Sequence, residues 1–436
     1  MSPHERLDAA IKRVVEADNC SGCGGCVQLD PGLSMELNAE GYLRPVRKSP
    51  DVYPPEARAG TPTGAAGRPG RDVERDFAAA CPGVRVVAQR PPGSHRHAQL
   101  GPVVQAWEAW ANDPAVRHAG SSGGTLSALS AWLLETGQAA TVIGAASDPN
   151  NARRTVPVQI ISKEQALKAA GSRYAPVANA SVPGARDAGT AFVGKPCEVS
   201  AIRALGPRGE RASAEDGGEA AAGEGPLLLS FFCAGTPSQN ATDRLAADLG
   251  VAEGAGVSEL RYRGQGWPGD FSITDTDGTV RNASYDESWG QYLGPTTQWR
   301  CKICPDGVGE SADITAADFW RTDATGYPLF TDRAGISALI ARTERGRSLV
   351  LAAAAAGVLT LKAMDVAELV AVQPLQRKRR ETLLARLAGT LAAGGSVPRF
   401  SGFSLWRLAL PRLRESLRTA RGTFRRRRGL DREKQR

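Results

Sequence analysis

Three cysteines near the start of the sequence have a spacing that suits an iron–sulfur cluster. Cys20, Cys23 and Cys26 are separated by two residues each, and three of the four intervening residues are glycine, which lets the backbone wrap closely and direct its amides at sulfur. Bacterial ferredoxins bind three corners of a [4Fe–4S] cluster with this spacing, and a remote cysteine followed by proline, as in Cys81-Pro82, binds the fourth. A four-cysteine zinc site and unliganded thiols are the alternatives, but the third cysteine favours the cluster.

The other four cysteines lie far apart in the sequence. Cys301 and Cys304 form a CxxC pair, which alone is a redox dithiol or half a zinc knuckle. Cys197 and Cys233 each follow a predicted strand, and strand ends in an α/β sheet converge on one edge where ligands bind. The four predict a second thiolate site, although Cys197 and Cys233 read equally well as buried core cysteines.

Three short segments offer groups that suit a bound cofactor. The small residues at the start of a predicted helix over 123–136 form an anion site, unless Ser121 or Ser122 simply caps the helix. A compact turn supplies one cation and one aromatic ring, which either line a flavin or pack as a structural turn, and a third turn supplies a hydroxyl, a guanidinium and a ring. The candidate residues are Ser121, Ser122, Gly123, Gly124 and Thr125 in the first segment, Arg263, Gly264 and Trp267 in the second, and Ser172, Arg173 and Tyr174 in the third. Asp313 and Asp318, with Trp320, follow the CxxC pair and either order that site or cap elements.

Alternating strands and helices must position these residues. Apolar stretches at 141–145, 156–161, 191–194 and 227–232 predict strands, and periodic stretches at 163–170, 198–205 and 240–249 predict helices. This order predicts an α/β (α+β) catalytic domain over 96–375, preceded by a small ferredoxin-like iron–sulfur domain over 1–95 and followed by a basic helical tail over 376–436. Residues 60–71 read as a mobile loop and 207–226 as a disordered insertion.

Composition narrows the classes of protein. The chain has 436 residues, 42% of them hydrophobic and 23% charged, which is ordinary for a globular protein and excludes collagen and multi-span membrane proteins. We find no transmembrane stretch and no export signal, so we expect a cytoplasmic protein in which grouped cysteines bind metal. The four histidines argue against histidine-rich metal sites. No catalytic triad, P-loop or kinase signature is present.

The positive charge is concentrated at the end of the chain. Residues 375–436 hold 18 Lys and Arg residues against four Asp and Glu, a net charge of +14, whereas the whole chain carries +8. A solvated, disordered end is the first interpretation of this tail. An amphipathic anchor at a membrane surface, using Phe403, Leu405, Trp406 and Leu408 with a break near Pro411, is the second. Nucleic-acid binding ranks last because no recognition motif accompanies the charge.

Taken in order, these segments resemble the coenzyme F420 hydrogenase/dehydrogenase beta-subunit family. The resemblance spans roughly residues 19–359 and is carried by CSGCGGC at 20–26, CPG at 81–83, SSGG at 121–124, GSRY at 171–174, VGKPC at 193–197, FCAGTPS at 232–238, RYRGQGWPG at 261–269, CKICPD at 301–306, ADI at 312–314 and DFW at 318–320. It implies a flavoprotein with FAD in the α/β domain, lined by the three candidate segments. It also implies a second [4Fe–4S] cluster on Cys197, Cys233, Cys301 and Cys304. Relatives often carry a second complete CxxCxxC motif, which this chain lacks.

The expected activity is therefore redox chemistry. The clusters would carry single electrons, and FAD would exchange them with a deazaflavin (coenzyme F420) or an organic substrate. Lys195 and Arg173 are the candidates for electrostatic roles near the flavin. The expected partners are the deazaflavin, a ferredoxin or a partner oxidoreductase subunit, without nucleic acid, and the tail would bring the protein to the inner membrane surface if it is an anchor. The alternative is a non-catalytic electron-transfer subunit of a larger complex.

Overall fold

The structure is a computed structural model that describes residues 2–48, 72–208, 225–319 and 334–430. The predicted mobile loop at 60–71, most of the predicted insertion at 207–226 and Trp320 lie outside these residues. No helix in the described ranges is long and apolar enough to cross a membrane.

An eight-stranded mixed sheet forms the centre of the fold, as the alternating pattern predicts. Its strands are β6 (Gln105–Ala111), β7 (Thr141–Asp148), β8 (Asn151–Ile160), β9 (Thr190–Gly194), β10 (Leu227–Phe231), β14 (Ile314–Asp318), β15 (Ser337–Ala341) and β16 (Leu359–Ala363). The strand order is β16-β6-β15-β14-β10-β9-β7-β8. The four strands β14, β10, β9 and β7 are parallel, and the flanking pairs are antiparallel. Parallel strands are buried on both faces, which explains their continuous apolar sequences.

Helices cover this sheet and join its strands. They are α3 (Pro114–Ala119), α4 (Thr125–Glu135), α5 (Lys163–Lys168), α6 (Pro196–Leu205), α10 (Glu344–Ala355) and α11 (Val366–Ala371). Leu129 and Leu133 of α4 are fully buried against the sheet, in the same core cluster as Leu229 of β10. The predicted helices at 123–136, 163–170 and 198–205 are confirmed to within two or three residues.

A smaller layer lies beside the sheet. The antiparallel strands β11 (Val257–Arg261), β12 (Phe271–Asp275) and β13 (Val280–Ala283) pack with α7 (Gln239–Asp248). A short helix α8 (Tyr285–Glu287) continues into a π-helical turn at Ser288–Leu293, and α9 (Trp299–Lys302) follows. The predicted helix at 240–249 is confirmed by α7.

The N-terminal residues form a small unit around the CxxCxxC loop. It contains α1 (Pro3–Glu16), a hairpin of β1 (Leu33–Leu37) and β2 (Leu43–Arg47), α2 (Val73–Ala80) and β3 (Arg85–Val87). Two further strands, β4 (His95–His97) and β5 (Gly101–Val103), lead into the sheet. That this unit is ferredoxin-like stays a prediction.

The C-terminal residues pack on the rest of the protein. We call residues 374–430 the C-terminal arm; it contains α12 (Pro374–Glu381), α13 (Leu383–Ala392), β17 (Arg399–Ser401), α14 (Leu405–Ala409) and α15 (Leu413–Arg427). The strand β17 pairs with β3 of the N-terminal unit, and Arg427 forms an ion pair with Asp18 at 2.8 Å. A solvated, disordered end is therefore the wrong interpretation of residues 374–430. The predicted break near Pro411 is confirmed by a 3-10 turn at Leu410–Arg412.

The predicted domain boundaries do not coincide with the ends of elements. The boundary after residue 95 falls inside β4, and the boundary after residue 375 falls inside α12. Both elements tie neighbouring regions together, since Arg96 and Arg380 both pair with the buried carboxylate of Glu310. The division into three domains stays a prediction.

Candidate functional site

The first cysteine group, which comprises Cys20, Cys23, Cys26 and Cys81, surrounds one small cavity. The loop after α1 carries the first three cysteines, and Cys81 follows the last residue of α2. Apolar side chains close the rest of the cavity, namely Ile11, Val14, Leu29, Met35, Pro45, Phe77 and Pro82. The predicted convergence of Cys81 on the CxxCxxC loop is therefore observed.

Backbone amides point at the sulfur atoms of this group. The amides of Gly22, Gly25 and Gly83 donate to Cys20, Cys23 and Cys81 respectively and lower the pKa values of these thiols. Burial is the larger effect, and it raises the pKa of each of the four thiols. Four largely desolvated thiols, three of which accept from glycine amides, are a suitable donor set for a [4Fe–4S] cluster, whose irons stabilise thiolates and whose potential depends on such hydrogen bonds.

Adjacent parallel strands bring Cys197 and Cys233 to one edge of the sheet. Cys197 lies in the first turn of α6, directly after β9, and Cys233 follows the neighbouring strand β10. The loop after Cys233 contacts the CxxC pair, since the Thr236 amide donates to the Cys301 Sγ at 3.4 Å. The second cysteine group, which comprises Cys197, Cys233, Cys301 and Cys304, thus comes from the elements that the sequence predicts.

The electrostatics show how closely these cysteines lie. Burial raises the pKa of the Cys233 thiol to about 12, and Cys301 and Cys304 add to the rise. Burial also raises the pKa of Cys197 well above its usual value, and both Cys23 of the first group and Cys233 contribute. Cys197, a member of the second group, therefore lies within electrostatic range of Cys23 in the first group and of Cys233 in its own.

The helix α9 ties the two groups together. The Arg300 guanidinium donates to the Pro82 carbonyl at 2.7 and 3.2 Å, and the Gln298 side-chain amide donates to the Ser21 carbonyl at 2.9 Å. Residues on the N-terminal side of Cys301 thus hold the loops of the first group.

Neither group has the tight geometry of a single-ion site. Among the described residues, no three His, Cys, Asp or Glu side chains converge closely enough to coordinate one metal ion. A cubane cluster binds each of its four thiolates through a different iron atom, so its cysteines stand further apart. The first group, whose four cysteines surround one cavity, fits a cluster of this kind.

One large cavity joins the predicted cofactor segments to the second cysteine group. It has a volume of about 440 Å³, within the usual range for ligand pockets. Of the predicted site residues, Ser121, Ser122, Gly124, Thr125, Ser172, Arg173, Tyr174, Lys195 and Arg263 line it. Cys233 lies in the wall of the same cavity.

Arg263 holds the three cofactor segments together. Its guanidinium is fully buried, pairs with the Asp318 carboxylate at 2.7 Å, and donates to the Tyr174 hydroxyl at 3.2 Å and to the Ser121 carbonyl. Its Nε donates to the Pro268 carbonyl at 2.7 Å. These contacts make Arg263 a structural centre of the cavity wall. Asp318 therefore orders the cavity wall through Arg263, and Asp313 accepts from the Leu228 amide at 2.9 Å. Ordering of the CxxC site by either carboxylate stays a prediction.

Three predicted cofactor residues do not line the cavity, and the prediction for them needs correction. Trp267 is buried in a core cluster, with the Arg263 guanidinium 5.0 Å from its ring centroid. Gly123 and Gly264 lie where backbones approach closely: a Cβ on Gly123 would stand 2.5 Å from the Ala109 carbonyl oxygen, and one on Gly264 would stand 2.7 Å from that of Ala119. The packed structural turn is the correct interpretation of Trp267.

The helix α4 begins at the cavity without a side-chain cap. Its N-cap residue is Gly124, with φ of +70°, and no side chain accepts a hydrogen bond from the first turn. The Ser122 hydroxyl instead donates to the Ile336 carbonyl at 2.7 Å, and the Ser121 hydroxyl accepts from the Ser172 amide. Capping by either serine is therefore wrong, and the helix terminus is available to an anion.

The two predicted electrostatic residues are engaged with the protein. The Lys195 ammonium donates to the Glu198 carboxylate and to the Val177 carbonyl, each at 2.6 Å. Burial is the largest single effect on Lys195 and disfavours its charge, but the Glu198 carboxylate together with Cys197 and Cys233 raises the pKa of Lys195. Arg173 donates to the Thr155 hydroxyl at 2.8 Å and to main-chain carbonyls, so its guanidinium braces the wall.

Sequence reasoning missed an aromatic part of the cavity wall. Tyr285 and Trp289 line it from α8 and the π-helical turn, and the Trp289 ring lies 5.0 Å from the Tyr174 ring. Asn179 and Gln373 add amide groups. The only signal in the sequence is an aromatic pair four residues apart, which by itself indicates one face of a helix.

Comparison with known proteins places this site in a family. Two family models for the beta subunit of "Coenzyme F420 hydrogenase/dehydrogenase" match the chain: the model of its N-terminal part matches residues 106–182, and the model of its C-terminal part matches residues 187–367. Together they span more than half of the chain. The chain belongs to this family. The resemblance to the family is thereby confirmed. Residues 1–105, which carry the first cysteine group, and the arm from residue 374 lie outside both matches.

Members of the coenzyme F420 hydrogenase/dehydrogenase beta-subunit family include a curated relative with extended similarity. The "Coenzyme F420 hydrogenase subunit beta" of Methanococcus voltae is 25% identical over 302 residues, which are 65% of this chain and 95% of that protein. A chain in a structure titled "Xenon derivatization of the F420-reducing [NiFe] hydrogenase complex from Methanosarcina barkeri" is 22% identical, with a TM-score of 0.48. That match covers 67% of this chain and 95% of the other.

Proposed function

We propose that the chain is an iron–sulfur flavoprotein oxidoreductase that passes electrons between two [4Fe–4S] clusters, FAD and coenzyme F420 or an organic substrate. The observation that carries the proposal is the single cavity bounded by the predicted flavin segments and by Cys233. When bound, the clusters supply single-electron transfer and FAD supplies two-electron chemistry. The protein residues bind these groups, exclude water from them and set their electrostatic surroundings.

The cavity wall supports a flavin in three ways. The uncapped terminus of α4 at Gly124 and Thr125 offers amides to a pyrophosphate. Tyr174, Tyr285 and Trp289 offer aromatic surface for a ring system. The buried Lys195–Glu198 ion pair places a hydrogen-bonding ammonium in the wall near Cys233.

A second candidate function is that of a non-catalytic electron-transfer subunit. The relative from Methanococcus voltae is named as a hydrogenase subunit, and such a subunit works with a partner oxidoreductase. Under this alternative, the same cysteine groups and cavity relay electrons between the partner and a carrier. Turnover separates the two: an enzyme reduces F420 or an organic acceptor when the isolated chain receives electrons, and a relay subunit does so only with its partner.

Metal and flavin analysis of anaerobically purified protein tests the proposal. We expect about eight iron atoms, matching sulfide and one FAD per chain, with the broad visible absorption of clusters. About four iron atoms with FAD would remove the second cluster and leave Cys197 and Cys233 as core cysteines. Zinc without flavin would overturn the proposal.

We also propose that the C-terminal arm brings a cytoplasmic protein to an anionic membrane surface. Trp406, Leu410, Leu413 and Leu417 are between 55% and 71% exposed, which is unusual for residues of this type. Exposed arginines lie beside them on α14, α15 and the 3-10 turn between these helices, at 407, 412, 414, 418, 421 and 425. Apolar residues with a tryptophan beside arginines favour the interface of a bilayer that carries negative lipids.

The residues that support membrane contact differ from those predicted. Phe403 is buried against Val86 and Ala88, so it holds the arm to β3 and cannot enter a bilayer. Leu405 and Leu408 are half-buried, and only Trp406 of the predicted four is exposed. Binding to vesicles that contain phosphatidylserine tests this contact.

A further inference from the structure

The helix α12 belongs to the arm, outside the family matches, yet it contacts the loop that carries Cys233. Arg379 donates through Nη2 to the Cys233 carbonyl at 2.7 Å and through Nη1 to the Ala234 carbonyl at 3.1 Å. Gln376, one turn earlier, donates to the Cys233 carbonyl at 3.2 Å and accepts from Arg379. Both side chains are 7% exposed. A planar guanidinium that binds two successive carbonyls fixes the course of this loop.

The loop after the CxxC pair is shaped to admit these side chains. Gly307 lies three residues after Cys304, and a Cβ at this position would stand 1.4 Å from the Arg379 Nη2 and 2.3 Å from the Gln376 Oε1. The Gly307 carbonyl accepts from the Cys233 amide at 2.9 Å. Arg379 therefore lies between the two loops that carry Cys233 and Cys304, at a place where only glycine leaves room for it.

Arg379 is also a buried cation that has no carboxylate partner among the residues that the structure describes. In the described ranges, no Asp or Glu side chain lies within ion-pair distance of Arg379, whereas Lys195, the other cation near Cys233, is paired with Glu198 at 2.6 Å. A buried cation without a counter-charge is costly. A thiolate-bound [4Fe–4S] cluster on the neighbouring cysteines is anionic and would supply that counter-charge.

We propose that Arg379 is a positioning residue for the second cluster, which fixes the Cys233 loop against the Cys304 loop and raises the reduction potential of the cluster with its charge. The inference rests on the proposed function, because it requires a cluster on the second cysteine group. Reduction adds negative charge to the cluster, so a nearby cation stabilises the reduced form and its removal lowers the potential.

A redox titration of the full-length holoprotein, followed by electron paramagnetic resonance, tests the inference together with iron analysis. The variants are Arg379→Gln, which removes the charge, and Arg379→Lys, which keeps the charge but cannot bind both carbonyls. Arg377→Gln is the matched control, because Arg377 lies on the same helix with its side chain exposed. We expect Arg379→Gln to lower the midpoint potential of one cluster only, Arg379→Lys to stay near wild type, and Arg377→Gln to change neither cluster.

The remaining outcomes also decide the matter. Loss of about four iron atoms in Arg379→Gln, with full iron content in Arg379→Lys, would support the inference, because retention of the second cluster would then depend on the charge. Unchanged potentials in Arg379→Gln at full iron content would overturn the inference and leave the proposed function standing. Equal loss of iron in both variants would overturn the proposed effect of the charge, because both variants lose the paired hydrogen bonds that fix the Cys233 loop. About four iron atoms in the wild-type protein would remove the second cluster, and the inference would fall with that part of the proposed function.

Discussion

At the scale of single residues, Arg263 is the side chain on which the shape of the cavity depends most. It joins Ser121, Tyr174 and Asp318, one from each of three distant segments of the chain. A lysine at this position keeps the charge but cannot make the planar, forked set of hydrogen bonds. We expect Arg263→Lys to lower the free energy of unfolding by about 2 kcal/mol, since two or three hydrogen bonds are lost. We also expect weaker FAD retention, measured by flavin content after gel filtration.

Arg261→Lys is the control for this prediction. Arg261 lies two residues earlier, at the end of β11, and pairs with the exposed Glu259 at 3.2 Å, away from the cavity. The two side chains of this pair are 26% and 53% exposed, and such surface pairs contribute little, so we expect a change within about 0.5 kcal/mol and full flavin content. Wild-type FAD content in Arg263→Lys would contradict the role assigned to Arg263.

At the scale of elements, the start of α4 combines close packing with a left-handed backbone conformation that only glycine adopts easily. Gly124 has φ of +70°, and a Cβ there would stand 2.7 Å from the Val116 carbonyl oxygen and 3.0 Å from the Arg117 Cα. We expect Gly124→Ala to lose about 1 kcal/mol from its dihedral angle and more from the contact, and to shift the helix terminus in the cavity wall. Thermal unfolding and FAD titration of the flavin-free protein measure the two effects.

Gly137, just beyond the other end of α4, provides a control that measures the effect of the dihedral angle without the effect of close packing. Its φ is +68°, but nothing lies within 4 Å of a Cβ at that position. Gly137→Ala should therefore show the dihedral loss of about 1 kcal/mol without a change in FAD affinity. Equal FAD affinity in Gly124→Ala and Gly137→Ala would show that the terminus of α4 does not serve the flavin.

The elements show what the sequence can and cannot predict. Apolar runs such as Leu227–Phe231 predict strands well, because burial on both faces demands continuous apolar residues. The convergence of Cys197 and Cys233 followed from strand direction alone. The contact between Gln376 and Cys233 joins residues 143 positions apart, and no local pattern reports it. The same limit applies to Arg263, whose partners are known only once the three segments are folded together.

At the scale of the whole molecule, one side of the arm carries the exposed apolar residues Trp406, Leu410, Leu413 and Leu417, and the other side packs on the rest of the protein. Asn19 donates to the Ser396 carbonyl at 3.3 Å, and β17 pairs with β3, so the arm is fastened to the N-terminal unit. Removing the arm would therefore disturb the cysteine loops as well as the exposed surface. Point substitutions on the surface are the cleaner test of membrane contact.

We expect the full-length protein to sediment with vesicles that contain phosphatidylserine and to stay in solution with phosphatidylcholine alone. The triple variant Trp406→Ser, Leu413→Ser, Leu417→Ser should lose this binding. The arginines that remain attract the vesicle only electrostatically, and salt screens that attraction. Ile161→Ser is the matched control, since Ile161 is 65% exposed but lies on the body beyond the end of β8. If the triple variant binds as the wild type does, or if neither binds, the surface is not a membrane contact, and its arginines would suit an acidic protein partner instead.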